Sequence, residues 1–486
     1  MTFSEVLTRR ELVRNLSLAA GGLYLSPHTL GLAASSSFPS KRPQPSARRF
    51  RSPAVDAAID SVSSKISDPE LAWLFSNCLP NTLDTTVTFG EFEGKPDTVV
   101  VTGDIPAMWL RDSSAQVWPY LPFVKADQSL ARLIEGVIRR QTRCILIDPY
   151  ANAFMSDLKS AEPLPWSKTD HTTMKTGVGE RKWEVDSLCY PVRLSYQYWK
   201  ETGDIAPFDA QWAAAMHLIV STFKDQQRKG SQGPYSFQRV SATPTETLGN
   251  AGFGAPTRPV GLIHSGFRPS DDACVYPMNI PGNFFAVKTL FRLEEMLTEI
   301  THDAASAREA ALLREEISSA LRNYAPGKHP TAGEIWAYEV DGLGNAIFMD
   351  DANVPSLLGL PYLECCSKAE PMYLATRRFA WSDDNPYFYR GSVAEGIGGP
   401  HIGQDMVWPM SIIILALTTD DEHEQLQCLR WLKKSNAGTG FMHESFNKDD
   451  PGKFTREWFA WANTLFGELI LTIANRTPRL LASSNI

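Results

Sequence analysis

Helical periodicity runs through this chain from about residue 52 to its end. Apolar residues recur at three- and four-residue steps, and short loops rich in Gly, Pro and Asn separate the periodic segments. The predicted helices span residues 52–66, 113–123, 128–146, 186–202, 208–226, 281–299, 305–324, 369–379, 405–418, 421–434 and 455–473. Convincing strand patterns are few, at 98–101 and 335–338. Such a chain must bury helix against helix, so the pattern predicts an all-α fold.

The segment 455–473 has an apolar face too wide for a helix that lies half in water. We therefore expect an inner helix that other helices surround. Many helices with such an inner member favour an (α/α)6 toroid, in which short β elements are confined to the loops. Packed helices are occupied with one another, so loops at one mouth of the inner ring are the expected place for a ligand site.

The length and charge of the chain limit what it can be. With 486 residues, 43% of them hydrophobic, it can bury a large core, and we predict a single domain over residues 52–486. The net charge is −8, and Lys and Arg are spread along the sequence. Because no basic stripe is present, the charge pattern excludes a nucleic-acid surface and favours a neutral polar ligand.

Residues 1–51 resemble a targeting segment followed by a flexible linker. Three arginines within residues 9–14 precede an apolar run at 16–25, and small residues follow at 31–34, which is the order of a cleavable export signal. Residues 8–13 also resemble a twin-arginine signal. An ordinary disordered tail is the alternative. The export interpretation predicts a secreted or exported protein, and the alternative a soluble intracellular one; no later segment has the roughly 18 apolar residues of a membrane span.

The seven cysteines are scattered without a CxxC pair, and no His/Cys cluster has the spacing of zinc ligands. We therefore predict no metal site and no cofactor. Most of these cysteines are expected to be buried apolar fillers.

The first chemically promising loop spans residues 103–114. Trp109 has the flat ring that stacks on the apolar face of a sugar, and Arg111 with Asp112 can bind neighbouring hydroxyl groups. In the alternative interpretation, Arg111 and Asp112 form an ion pair that orders the start of a helix.

A second loop contains the run Arg268-Pro269-Ser270-Asp271-Asp272. Adjacent residues cannot face the same way, so one aspartate is expected to point into a site while the other caps a helix or pairs with Arg268. The residues leave open which aspartate does which. An N-cap cluster without chemistry is the alternative.

Two further loops carry polar residues among glycines. Residues 392–409 contain His401, Gln404 and Asp405, and no strand precedes these glycines, which argues against a nucleotide loop. Residues 438–446 contain Glu444, and either His443 beside it or a nearby cation could keep this carboxylate ionised. Carboxyl groups set among aromatic, glycine and cationic residues in two distant loops predict a two-carboxylate glycosidase.

Four blocks, residues 102–114, 265–274, 441–446 and 455–463, resemble glycoside hydrolase family 125, the exo-acting α-1,6-mannosidases. The resemblance extends from about residue 52 to 480. It implies an (α/α)6 catalytic domain that needs no metal and removes terminal mannose with inversion from mannose-containing oligosaccharides or N-glycan fragments.

The resemblance also implies roles for residues. One aspartate of the doublet would be the general acid, with Asp271 favoured over Asp272 by its position in the motif, and Glu444 would be the general base. Inverting glycosidases hold these carboxyl groups roughly 6.5–9.5 Å apart, which leaves room for the attacking water.

The residues expected to bind the terminal mannose share a place in or beside these loops. They are Trp109, Arg111, Asp112, His264, Arg268, Gln404 and His443. Two alternatives stay open: a sugar epimerase or isomerase that uses His264, His401 or His443 as proton shuttles, and a non-catalytic glycan-binding protein.

Overall fold

The computed structural model describes residues 38–483 and residue 486, and helices dominate it. In chain order the α-helices are α1 (Pro53–Ser63), α2 (Pro69–Cys78), α3 (Asn81–Thr85), α4 (Leu110–Val117), α5 (Gln128–Ile147), α6 (Val185–Thr202), α7 (Ala210–Gln226), α8 (Ile280–Glu299), α9 (Ala304–Tyr324), α10 (Pro371–Ala380), α11 (Pro409–Leu417), α12 (Glu422–Ser435), α13 (Ala460–Arg476) and α14 (Pro478–Leu481).

Short strands lie between these helices. They are β1 (Val87–Phe92), β2 (Lys95–Val100), β3 (Ala107–Trp109), β4 (Ala153–Met155), β5 (Val178–Glu180), β6 (Met278–Asn279), β7 (Pro326–His329), β8 (Gly333–Trp336), β9 (Glu339–Val340), β10 (Ala346–Ile347), β11 (Phe388–Arg390), β12 (Glu395–Ile397), β13 (Met406–Val407), β14 (Ser445–Asn447) and β15 (Asp450–Thr455). They pair antiparallel into sheets of two or three strands, such as β3-β4-β5 and β13-β14-β15.

Side-chain caps define where several helices begin. The Ser52 hydroxyl accepts a hydrogen bond from the Val55 amide, and Asp127 accepts one from the Leu130 amide. These caps satisfy backbone N–H groups that have no partner in the first turn. At the other end of α6, Gly203 adopts the left-handed conformation with φ 71° and stops the helix.

The helices form two kinds of layer. All residues of α4 are buried, and so is every residue of α11 except Leu417, whereas α9 buries mainly an apolar stripe. Helices α4, α6 and α8 pack side by side, and α13 packs against both α4 and α11. The less buried helices lie outside them: α5 on α6, α9 on α8 and α12 on α11. The prediction of a helical fold with short β elements in its loops is confirmed.

Residues 38–51 differ from the predicted flexible linker because they pack on the helices. The ring of Phe38 lies 5.1 Å from that of Trp73, and Arg42 donates to Asp84 at 2.7 Å and to Asp56 at 2.9 Å. The aromatic contact and the ion pairs fix the segment. The predicted targeting segment itself lies outside the described residues, and no helix within residues 38–483 is long and apolar enough to cross a membrane.

Candidate active site

A small cavity lies where the loops before α4, α11 and α13 converge. Its walls combine carboxyl groups, two arginines, an imidazole and three aromatic rings. The lining residues are Arg111, Asp112, Pro269, Ser270, Asp271, Asn353, His401, Trp408, Glu444, Arg456, Phe459 and Trp461. A few directed polar groups against aromatic walls are the chemistry of a site that binds a small polar ligand such as one sugar.

The backbone around Asp271 separates the two adjacent aspartates. Asp271 adopts the left-handed conformation with φ 65°, and its amide donates to the Arg268 carbonyl at 2.9 Å. The Arg268 amide donates in turn to the Asp272 carbonyl at 2.7 Å, and the Lys182 ammonium donates to the Asp271 carbonyl at 2.8 Å. A left-handed non-glycine residue held by so many contacts is typical of functional sites.

Asp271 shares one guanidinium with three other carboxyl groups. Arg111 Nη2 donates to Asp271 Oδ1 at 3.2 Å, while Nη1 donates to Glu184 at 2.6 Å and to Asp186 at 3.2 Å. Arg111 Nε also lies 3.5 Å from Asp112 Oδ2. Burial disfavours the charge of Arg111, but the surrounding carboxylates outweigh burial and raise its pKa.

Glu184 is the member of this group with the clearest shift. Burial raises its pKa to about 7, the charge of Asp186 adds to the shift, and Arg111 opposes it. The Asn152 amide nitrogen lies 3.3 Å from both Glu184 Oε1 and Asp271 Oδ1, and so links the two carboxyl groups. With more carboxyl groups than cations, this side of the cavity retains a proton near neutral pH.

Glu444 lies in a different setting, at the start of β14. Its Oε1 lies 3.3 Å from Arg456 Nη1. Arg456 is held from behind by Asp104, which accepts from Nε at 2.9 Å, and by the Thr102 hydroxyl at 3.3 Å. Burial opposes the charge of Arg456, yet Asp104 and Glu444 raise its pKa. A fixed positive charge beside Glu444 favours the ionised carboxylate.

Asp272 lies behind the cavity wall rather than in it. The residue is wholly buried, with the Ser270 hydroxyl at 3.4 Å from Oδ2 and His401 Nδ1 at 3.6 Å from Oδ1. Burial raises the pKa of nearby Asp351, and the charge of Asp272 contributes to that shift. Of the two aspartates, Asp271 is the one that lines the cavity.

Three predicted sugar-binding residues are not among those that line the cavity, and their roles stay predictions. Arg268 donates to Glu339 at 2.6 Å and supports the loop from behind. His264 is buried between the Gln226 carbonyl and the Thr257 hydroxyl, each 2.8 Å away, and burial lowers its pKa to about 3. Gln404 lies exposed in its loop.

Trp109 and His443 are also absent from the residues that line the cavity. Trp109 is 1% exposed and packs in a small apolar cluster with Trp166, so its ring has no open face for a sugar. His443 stacks on Phe454 with 3.8 Å between ring centroids, and burial lowers its pKa to about 4. Of the two charges predicted beside Glu444, the structure therefore offers the nearby cation, Arg456, and not the imidazole of His443.

Several cavity residues were not among the predicted site residues. Trp408 and Phe459 each directly precede an inner helix, as Trp109 does, but the sequence predicted both inside helices, at 405–418 and 455–473, so their position gave no usable signal. Glu184 directly precedes the inner helix α6, and it and Asn152 do not line the cavity but contact Arg111 and Asp271, which do. Within the described part of the chain, no group of three or more His, Cys, Asp or Glu residues is arranged to hold a metal ion.

Comparisons with known proteins agree with this geometry. The family model described as metal-independent alpha-mannosidase (GH125) matches residues 68–471. The meiotically up-regulated gene 157 protein of Schizosaccharomyces pombe is 44% identical over 458 residues, which cover 91% of this chain and 90% of that protein.

Solved structures give the same result. A metal-independent alpha mannosidase of Streptococcus pneumoniae, in a non-productive complex with alpha-1,6-mannobiose, is 43% identical and superposes with a TM-score of 0.84. The match covers 88% of this chain and all of that one. A glycosidase variant at 12% identity, with a TM-score of 0.51 over 82% of this chain and 96% of its own, shares the fold alone. The chain described here therefore belongs to the GH125 family of metal-independent α-mannosidases.

Proposed function

We propose that this protein is an exo-acting glycoside hydrolase that removes terminal α-1,6-linked mannose with inversion. Two carboxyl groups, Asp271 and Glu444, in opposite electrostatic surroundings on one small cavity carry this proposal. The related Streptococcus pneumoniae mannosidase was solved with alpha-1,6-mannobiose, which supports the linkage. Mannose-containing oligosaccharides, N-glycan fragments among them, are the proposed substrates.

The cavity supports a direct displacement at the anomeric carbon. Asp271 donates its proton to the glycosidic oxygen as the bond to C1 breaks, and the leaving sugar departs with a free hydroxyl. Glu444 accepts a proton from the water that attacks C1 on the opposite face, so the product is β-mannose. Asp112, next to Arg111, is placed to bind hydroxyl groups of the same ring.

The fold fits the proposed role. The cavity lies where the loops before inner helices α4, α11 and α13 meet, and we propose that it takes the terminal residue of the substrate. We propose that the two helical layers close into an (α/α)6 toroid whose mouth holds the cavity.

Proton NMR of α-1,6-mannobiose with the enzyme tests this function. We expect free mannose whose first detected anomer is β, followed by mutarotation. Release of α-mannose first would contradict inversion. A changed sugar without cleavage would indicate an isomerase, and His401, which lines the cavity, would then be the candidate proton shuttle. No turnover would indicate a binding protein.

A further inference from the structure

Lys182 is a wholly buried lysine that lies behind the catalytic cavity. It follows strand β5 in the chain, and it is not among the residues that line the cavity. Its ammonium group donates to Glu246 Oε2 at 2.9 Å and to the main-chain carbonyl of Asp271 at 2.8 Å. A fully buried lysine is rare, because its charge loses hydration and must find partners inside the protein. One of the partners found here is the main chain of the proposed general acid.

The other partner, Glu246, has a second counter-charge. Arg239 Nη1 also donates to Glu246 Oε2, at 3.0 Å. Burial opposes the ionisation of Glu246, but the charges of Lys182 and Arg239 outweigh burial and lower its pKa to about 2. With a guanidinium already beside Glu246, charge pairing does not by itself explain why the ammonium group also contacts Asp271.

Lys182 acts on both ends of Asp271. Its ammonium group holds the carbonyl of a residue whose backbone is left-handed, with φ 65°, a conformation that a non-glycine residue keeps only when its surroundings enforce it. Its main-chain amide donates to Asn152 Oδ1 at 3.1 Å and so orients the Asn152 amide group, whose Nδ2 lies 3.3 Å from Asp271 Oδ1. Arg111 Nη2 donates to the same oxygen at 3.2 Å. Two donors on Oδ1 favour Oδ2 as the oxygen that carries the proton of a protonated Asp271.

We propose that Lys182 is a positioning residue for the general acid: its ammonium group holds the main-chain carbonyl of Asp271 and so aims the protonated carboxyl group at the glycosidic oxygen. This inference rests on the proposed function, in which Asp271 is the acid. An acid that turns away from the leaving oxygen stays in the cavity but protonates that oxygen poorly. The loss then falls on the chemical step and not on the binding of the sugar.

The Lys182→Met variant tests this role, since it keeps most of the side-chain length and the main-chain amide that orients Asn152 but removes the ammonium group. We expect kcat on α-1,6-mannobiose to fall about tenfold or more, with KM little changed. On a nitrophenyl α-mannoside, whose leaving group needs little protonation, the loss should be several times smaller. Lys175→Met is the matched control, because that ammonium group also donates to a main-chain carbonyl, that of Ile147 at 2.8 Å, and does not line the cavity. It should leave both rates unchanged.

Two double variants separate positioning from a purely structural role. The acid is already gone in Asp271→Asn, so the addition of Lys182→Met should cost almost no further mannobiose turnover. Lys182→Met/Glu246→Gln removes both charges of the buried pair, and under the proposal the loss on mannobiose persists. This second double variant also avoids an uncompensated charge on Glu246 if Lys182→Met folds poorly. The ratio of the rates on the two substrates, measured on one sample, does not depend on the folded fraction.

Three results would overturn the proposal. They are equal fractional losses of Lys182→Met on the two substrates, a full further loss when Lys182→Met is added to Asp271→Asn, and recovery of mannobiose turnover in Lys182→Met/Glu246→Gln, which would show that Lys182 only neutralises Glu246. Failure of the proposed function is distinguishable, because wild-type protein would then release no mannose, or Asp271→Asn would show no recovery on the nitrophenyl substrate. A wrong role for Lys182 leaves both of those results in place.

Discussion

Asp271 and Glu444 line the same cavity, yet the charges behind them differ. On the Asp271 side, one guanidinium, that of Arg111, serves Asp271, Glu184 and two further carboxyl groups. On the Glu444 side, the guanidinium of Arg456 faces Glu444 and Asp104. Four carboxyl groups share the guanidinium of Arg111, and two share that of Arg456, so the first side is the more crowded with negative charge.

Under the proposed mechanism, this difference lets two chemically similar side chains do opposite work. A cluster of carboxyl groups around too few cations cannot ionise fully and so keeps a proton that an acid can donate. We propose that Glu444, beside the fixed charge of Arg456, is the carboxylate that accepts one. Asp112 couples the two sides, since its charge helps to raise the pKa of both Arg111 and Arg456.

The largest expected effect comes from Glu444→Gln, which keeps the size of the side chain but removes its basicity. Hydrolysis of α-1,6-mannobiose should fall by about two orders of magnitude or more. Azide fits the position of the attacking water and needs no base, so it should form the β-mannosyl azide from an activated α-mannoside. Asp405→Asn, at an exposed carboxyl group of a neighbouring loop, is the control. Near-normal hydrolysis by Glu444→Gln would remove this residue from the mechanism.

The doublet offers a matched pair for the acid. Asp271→Asn should lose about two orders of magnitude on mannobiose but much less on a nitrophenyl α-mannoside, whose leaving group needs little protonation. Asp272→Asn should lose less on mannobiose and show no such recovery, because Asp272 lies behind the wall. Steady-state rates of both variants on both substrates test this prediction. Equal losses in the two variants would place the acid elsewhere.

The helices were predictable where the chain repeats an apolar face. Every predicted helical segment contains a helix in the structure, usually within a few residues of the expected bounds. Helix α2 was missed because its residues 73–75 and 77–78 are buried in succession, which hides the period of a one-sided helix. Strands of two or three residues, such as β6 and β13, are too short for an alternating pattern and depend on their partners.

The site was predictable where chemistry is local and not where it is assembled by the fold. Arg111, Asp271 and Glu444 stood out within their own loops. The orientation of the aspartate doublet depends on a left-handed turn fixed by Lys182 from a distant loop, which no local pattern encodes. Glu184 becomes part of the site through Arg111 and Asn152, and its sequence neighbours give no sign of this.

A moderate effect is expected from Glu184→Gln, which removes one carboxyl group from the crowded side. Arg111 is then less neutralised, so the pKa of Asp271 should fall. The basic limb of the kcat/KM profile should move down by about one pH unit, with activity near pH 5 little changed. Glu395→Gln, a partly exposed carboxyl group in another loop, should leave the profile in place. If the basic limb of the kcat/KM profile does not move in Glu184→Gln, the pKa of the acid does not depend on this cluster of carboxyl groups.

The smallest effect on activity is expected from His443→Gln on the Glu444 side. Burial lowers the pKa of His443 to about 4, so the ring is neutral at working pH and contributes no charge to Glu444. The acidic limb of the kcat/KM profile should therefore stay where it is, and an upward shift would mean that His443, not Arg456, holds the base ionised.

The stability of the His443→Gln variant should respond instead. As the pH falls from about 6.5 to 4, the imidazole binds a proton in the unfolded chain but not in the folded one. The free energy of unfolding of the wild type therefore decreases as the pH falls through this window. The unfolding temperature measured across this range should fall less steeply in His443→Gln than in the wild type. The variant also loses the stack on Phe454, which lowers its stability at every pH.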